Sequence, residues 1–317
     1  MAAAEGGNLV RNDWGELIPV VRFTYTGADG QVIPDEATHI LVQARVIGRE
    51  AFRNHPNIVE VICDEDVEKI EQLAFYLCRS LRRVVMRGVK FVEQKAFWGC
   101  FALTEVECDK LEIIGNGAFV CCDSLRMINL PSARIVKSQV FAGCRVLTDV
   151  KFGNKLEGMG QIAFRECESL ERISIPLKDG LITEDKTFQQ CDNLNHVDLV
   201  RGELHETISA FHFVDWRNDV NDEIGLINQT LLNTPAGWIR RGAVLKSYPG
   251  EKAQAIRRWI RSVLLKIVYY QAEHRRLLNE AATTLEVFLP NDIVMKKVLP
   301  FLELPSYTFE VNEEEGG

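Results

Sequence analysis

Residues 114–130 read IGNGAFVCCDSLRMINL, with apolar side chains at Ile114, Ala118, Phe119, Cys122, Leu125, Ile128 and Leu130. The last two are spaced by two, the period of a strand whose alternate side chains point one way. The same stretch recurs on both sides, anchored by Phe52, Phe75, Phe97, Phe119, Phe141, Phe164 and Phe188 at intervals of 22 to 24 residues. Self-similarity at that period marks a repeat array.

Around each Phe the same offsets carry the same chemistry. The residue before it is small or β-branched: Ala51, Ala74, Ala96, Ala118, Val140, Ala163 and Thr187. Three residues after it stands Cys78, Cys100, Cys122, Cys144, Cys167 or Cys191, with His55 in the first copy, so register accounts for six of the nine cysteines. Six after it comes Ile58 or a leucine, from Leu81 to Leu194. Nine and eleven after it run two further apolar rows, from Val61 and Cys63 to Val197 and Leu199. A unit this short buries such side chains only against the same residues of its neighbours, which predicts a solenoid. Each coil is expected to add one short strand to a parallel sheet, giving a rod roughly 30 Å long at the usual strand spacing.

The pattern Ile-x-x-x-Ala-Phe-x-x-Cys-x-x-Leu-x-x-Val-x-Leu, nearly intact from Ile114 to Leu130, resembles the BspA-type leucine-rich repeat. The likeness covers about half of the chain. It implies an α/β-type solenoid of seven coils with parallel short strands, working as a protein-interaction module without chemistry of its own. The seventh copy departs from the pattern, with Thr183 and Thr187 at apolar positions and an extra residue near Lys178 to Gly180. A looser coil is expected there.

Changes of period set the remaining boundaries. Residues 1–16 read as a flexible N-terminus, 17–45 as a β cap, 46–200 as the solenoid, 201–310 as a helical region and 311–317 as a disordered acidic tail. In the cap, Val20 to Tyr25 alternates, Thr26 to Gly30 is rich in turn formers, and Ile40-Leu41-Val42 is apolar. That predicts a hairpin and an extra strand covering the open edge of the first coil. Beyond Val200, Ile208, Phe211, Val214, Val220, Ile224, Ile227 and Leu231 trace a helix ended by Pro235. A second helix is read from Glu251 to Glu280, with Ile256, Trp259, Ile260, Val263, Ile267 and Tyr270 on one face, and a third from Asp292 to Leu304.

Composition narrows the function classes. No stretch reaches 18 apolar residues, and the first 16 residues contain no apolar run of signal-peptide type. A cytoplasmic protein with reduced, buried thiols is expected. Sulfurs stacked at about the strand spacing do not converge as zinc ligands must, so no metal and no cofactor are expected. Gly158-x-Gly160-x-x-Ala163 mimics a dinucleotide fingerprint, but it crosses a repeat boundary and opens no long helix. The six histidines are scattered, and no nucleophile, phosphate-loop or metalloprotease motif is present. No enzymatic activity is expected.

Alternate strand positions cannot enter the core, so the candidate partner surface lies eight and ten residues after each Phe. It comprises Glu60, Arg83, Glu105, Glu107, Met127, Asn129, Asp149, Lys151, Arg172, His196 and Asp198. Arg83 is expected to pair with Glu105, and Asp149 with Arg172. A second candidate is basic: ten Lys and Arg stand against two Glu between Trp238 and Leu277, among them Arg257, Arg258, Arg261 and Lys266. Such a patch suits an anionic partner, although internal packing and solvation account for it better and no nucleic-acid partner is expected. A third is the segment Leu289 to Leu302, which resembles the opening of an F-box and would suit a ubiquitin-ligase adaptor. The expected partner is a protein, and the chain itself a monomer or weak oligomer.

Overall fold

The structure, a computed structural model, describes residues 9–12, 14–28, 30–178, 180–182, 186–200, 213–234 and 251–286. The seven phenylalanine rings are buried and stand one above the next, with centroids 4.8 to 5.6 Å apart and planes within 16° of each other. Stacked rings at this distance attract beyond their area burial, by about 0.5 to 1.5 kcal/mol per contact. Tyr25 closes the N-terminal end of the stack edge-on, 5.0 Å from Phe52.

The arch around each of the first six rings is made by two residues with left-handed backbone, one two positions before the Phe and one two positions after. Gln139 and Cys121 are examples, with φ of 59° and 56°. This conformation turns the N–H along the solenoid axis: Gln139 N donates to Gln161 O at 3.1 Å, and Cys121 N to Ala142 O at 3.0 Å. The steric cost for a residue with a Cβ, about 1 to 2 kcal/mol, is thereby set against an inter-coil hydrogen bond. Gly99, Gly117 and Gly143 fill three of these positions. Cys121 owes its place beside Cys122 to this register and has no ladder role.

The thiols do more than fill space. Cys144 Sγ donates to Phe119 O at 3.1 Å, and the other five ladder cysteines each reach the carbonyl of the preceding coil's Phe at 2.9 to 3.4 Å. A hydroxyl at position 144 would therefore meet an acceptor, which the sequence does not disclose. In the first copy His55 Nε2 lies 3.0 Å from Pro34 O, taking over the thiol's bond.

Each coil contributes two strands, not the single one expected. The first sheet starts with the parallel strands Arg22–Tyr25, His39–Val42, Glu60–Cys63, Arg83–Val85 and Glu105–Glu107. It resumes with Met127–Leu130, Asp149–Phe152, Arg172–Pro176 and His196–Val200. The second sheet holds six two-residue parallel strands, Val46–Ile47, Lys69–Ile70, Phe91–Val92, Ile113–Ile114, Ile135–Val136 and Gly158–Met159. Coils approach so closely that a Cβ on Gly160 would stand 2.7 Å from the backbone of Lys137, so this glycine answers a packing demand and no nucleotide. In the seventh copy Ile182 makes only an isolated bridge to Met159, while Thr183 lies outside the described residues.

The N-terminal hairpin expectation is corrected. Arg22–Tyr25 pairs with His39–Val42 in parallel, so these strands begin the solenoid itself. The antiparallel hairpin is formed by Leu9–Arg11 and Leu17–Pro19, and its first strand falls in the stretch read as flexible.

Two helices follow, α1 (Phe213–Asn233) and α2 (Glu251–Glu286), the latter running six residues past the expected Glu280. Val220, Ile227 and Leu231 of α1 and Ile256, Trp259, Ile260, Val263 and Ile267 of α2 are buried in one core that continues into the coils. The linker 238–250, the third helix and the acidic tail lie outside the described residues. Two polar contacts join the helices to the last coil. Lys252, buried, donates to Asp192 O and Leu194 O, and Asn228 Oδ1 accepts from Val197 N. Burial pushes the Lys252 ammonium below its ordinary value.

Replacing Phe119 by Ala is expected to cost about 3 to 5 kcal/mol, the range for a buried ring, measured by urea unfolding. Parent-like unfolding would disprove the stacking role. A second expectation concerns pH. Burial holds the His55 imidazole below its ordinary 6.5, outweighing the bond to Pro34. The unfolded chain therefore takes up a proton that the folded chain resists, and stability falls as pH drops through about 6.5. His55→Cys should flatten that decline, read as the urea midpoint at about pH 7.5 and about pH 5.5; an unaltered slope would show that other groups cause it.

Candidate functional site

Strand alternation places Val61, Val84, Ile128, Val150, Ile173 and Val197 in the core. It leaves the neighbouring positions outside, and all eleven residues predicted for the partner surface lie on this outer side of the first sheet. The structure divides them into two groups that differ in how far their charges are paired.

The N-terminal group is closed on itself. Arg83 reaches Glu60 at 2.8 Å, Glu107 at 2.6 Å and Glu105 at 3.2 Å, and Arg87 joins Glu107 at 2.5 Å. The expected Arg83 and Glu105 pair is thus one contact of a larger cluster. The carboxylates of Glu60 and Glu107 push the Arg83 guanidinium above its ordinary value, while Arg87 and then Arg83 hold Glu107 below the usual carboxylate range.

The C-terminal group is open. Met127 is 55% exposed. Lys151, on the next strand and in register with Asn129, is exposed and makes no ion pair among the described residues. Asp149 and Arg172 are in register, yet Arg172 leans the other way, its Nε 3.6 Å from Asp198. The expected pair is therefore not formed, and Asp149 Oδ1 is enclosed without a hydrogen-bond partner. His196 Nδ1 lies 2.5 Å from Asn195 Oδ1, and Asn129 is exposed.

A seam separates the groups. The backbone ladder is interrupted between Glu105–Glu107 and Met127–Leu130, where Cys108 Sγ reaches across to Asn129 O at 3.4 Å. Beneath the seam the core row eleven residues after each Phe changes from Cys63, Met86 and Cys108 to Leu130 and Phe152, whose ring meets Phe164 edge-on at 6.4 Å. The two halves of the surface thus rest on core side chains of different size.

Among the described residues the basic stretch does not form one open patch. Lys252 is buried at the last coil, Lys266 meets Asp219 and Glu223 of α1 at 3.6 and 3.4 Å, and Arg276 pairs with Glu273 and Glu280 along α2. Arg258 lines a groove of about 240 Å³ between the helices, with Leu226 and Trp259. Arg257 and Arg261 are partnered as well. The segment Leu289 to Leu302 lies outside the described residues. Among the described residues no cluster of His, Cys, Asp and Glu is placed to hold a metal ion, and no helix is long and apolar enough to cross a membrane.

The second sheet escaped the sequence reading. Its outward positions, one residue per strand, include Val46, Phe91 and Ile135, each 37% exposed. The available signal was the buried aliphatic that follows each of them, Ile47, Val92 and Val136.

Residues 45–136 and 112–218 match, with six copies, the family described as BspA type Leucine rich repeat region. A search of curated proteins finds no match. Among solved structures, a leucine-rich repeat protein from Bacteroides ovatus is 25% identical over 57% of this chain and 42% of its own, with a TM-score of 0.43. The T. pallidum leucine-rich repeat protein is 26% identical over 62% of this chain and 81% of its own, with a TM-score of 0.37. A leucine-rich cell surface protein from Faecalibacterium prausnitzii is 15% identical over 64% of this chain and 96% of its own, with a TM-score of 0.22. The match thus spans less than half the length of the first of these proteins.

Replacing Arg83 by Met would leave Glu60, Glu105 and Glu107 facing one another. Because the guanidinium is 37% exposed, the expected loss is only about 1 kcal/mol at low salt, shrinking toward zero near 1 M salt, where the Debye length is about 3 Å. An equal loss at both salt concentrations would assign the effect to packing of the arginine stem.

Proposed function

Since the chain belongs to the BspA-type leucine-rich repeat family, we propose that it is a non-catalytic scaffold that binds a protein partner on the outer side of its first sheet. The observation that carries this reading is the open C-terminal group. An exposed Met127 and, diagonal to it on the next strand, a Lys151 with no ion pair among the described residues are left uncommitted, while the neighbouring Arg83 cluster satisfies its own charges. Apolar surface flanked by polar groups with unused bonding capacity is what a protein interface requires, a central anchor and a rim that fixes register. The partner that fits presents an apolar side chain to Met127 and a carboxylate to Lys151.

The same reading includes a cytoplasmic location. The ladder thiols act as hydrogen-bond donors to backbone carbonyls, a role that only the reduced form performs, and a reducing compartment preserves it.

The test is quantitative capture from native extract on the immobilised parent and on a Met127→Asp, Lys151→Glu variant with the same melting curve. A protein bound by the parent and by an Arg83→Met control, but lost by the variant, supports the open group as the recognition surface. Identical binding by all three would move recognition off this side of the solenoid.

A further inference from the structure

The second sheet, which the proposed function leaves unused, carries a charge row of distinctive order. Arg45, Glu68, Lys90, Glu112, Arg134 and Glu157 each stand immediately before one of its strands, and their signs alternate without exception. The strands run in register from Val46 to Met159, so the six charges form a row with the strand spacing of about 4.8 Å. Next to the row lies the half-exposed stripe of Val46, Lys69, Phe91, Ile113, Ile135 and Gly158, apolar except for Lys69, which pairs with Glu93 at 2.7 Å.

An alternating row with an even number of members is its own complement when reversed end for end. A second copy turned about an axis parallel to the strands, passing between Phe91 and Ile113, reverses the order of coils but keeps charge row against charge row. Arg45 then faces Glu157 of the partner subunit, Glu68 faces the partner's Arg134, and Lys90 faces the partner's Glu112 beside the axis. A slip of one coil would set Lys90 against the partner's Lys90, so the row selects the register as well as the partner.

Within one chain the row is incompletely satisfied. Arg45 and Lys90 both lean on Glu68, at 2.9 and 3.4 Å, and Arg134 on Glu157 at 2.8 Å. Glu112 has no ion pair among the described residues. The contact at the axis supplies it with a cation.

We infer that the chain associates with a second copy through this face, as an antiparallel, two-fold symmetric dimer. The six two-residue strands together with the charged residue before each cover roughly 24 by 10 Å, on the order of 240 Å² per copy, well below the ~800 Å² of a stable complex. The dimer is therefore weak, concentration-dependent and sensitive to salt.

Sedimentation equilibrium of the full chain at low salt tests this. The parent is expected to show a monomer and dimer equilibrium, and Lys90→Glu or Glu112→Lys alone should weaken it about tenfold or more, since each sets like charges opposite at two symmetric places. An equimolar mixture of the two single variants should associate again, because the new charge of each meets an opposite charge on the other. The double variant Lys90→Glu, Glu112→Lys should recover self-association. Circular dichroism checks each fold, and Glu68→Arg with Arg134→Glu offers the same exchange one place further from the axis. A parent that stays monomeric at every concentration, or single reversals that leave association unchanged, would overturn the inference.

Discussion

A coil of this chain can hide its apolar side chains only beneath the next coil, at the one spacing that a β ladder permits. Everything that crosses from coil to coil must meet that distance. Phenylalanine meets it because flat rings stack near 5 Å, and cysteine because its thiol is small enough to lie under the arch yet reaches the carbonyl of the ring below. Glycine is required where backbones meet face to face: a Cβ on Gly153 would stand 2.0 Å from Pro131 O. The left-handed residues flanking the first six rings follow from the same demand, since only that conformation points their N–H groups at the next coil.

This constraint explains what was legible in the sequence. Core rows repeat because each answers the same neighbour, so Phe, Cys and Leu could be aligned by eye and their burial foreseen. The second sheet was hidden because a strand of two residues, such as Ile113–Ile114, leaves one buried side chain and no alternation to detect. Alternation in Val20 to Tyr25 identified a strand but carried no direction. The stretch from Thr26 to Thr38 has the dozen or so residues that a parallel crossover needs, and its turn formers at Thr26 to Gly30 read equally as a hairpin. Register placed Arg172 beside Asp149, yet a long side chain also reaches diagonally, and Asp198 receives it. Lys252 was counted as surface charge, whereas its ammonium seals the carbonyls of the last coil.

The solenoid handles surface charge in two ways. Around Arg83 the outward rows are saturated, with one guanidinium serving three carboxylates, and such a region gains little from a newcomer that must first displace those contacts. Past the seam the exposed Lys151 keeps unused capacity. The same strand positions therefore differ in what they offer a partner, and the difference arises from side-chain reach rather than from composition.

The ends bear on where partners approach. A parallel ladder that stops leaves N–H and C=O groups exposed to pairing with another chain. Here Tyr25 lies across the first ring, and His55 joins the first coil to Pro34. At the other end Asn228 and Lys252 occupy a backbone N–H and two carbonyls of the last coil, and the apolar face of α1 and α2 continues its core. With these groups of the last coil engaged, growth by end-to-end stacking is opposed at the C-terminal end of the solenoid. The flanks differ from this end: the first sheet leaves Met127 and Lys151 exposed, and the second carries a charge row that is complementary to itself.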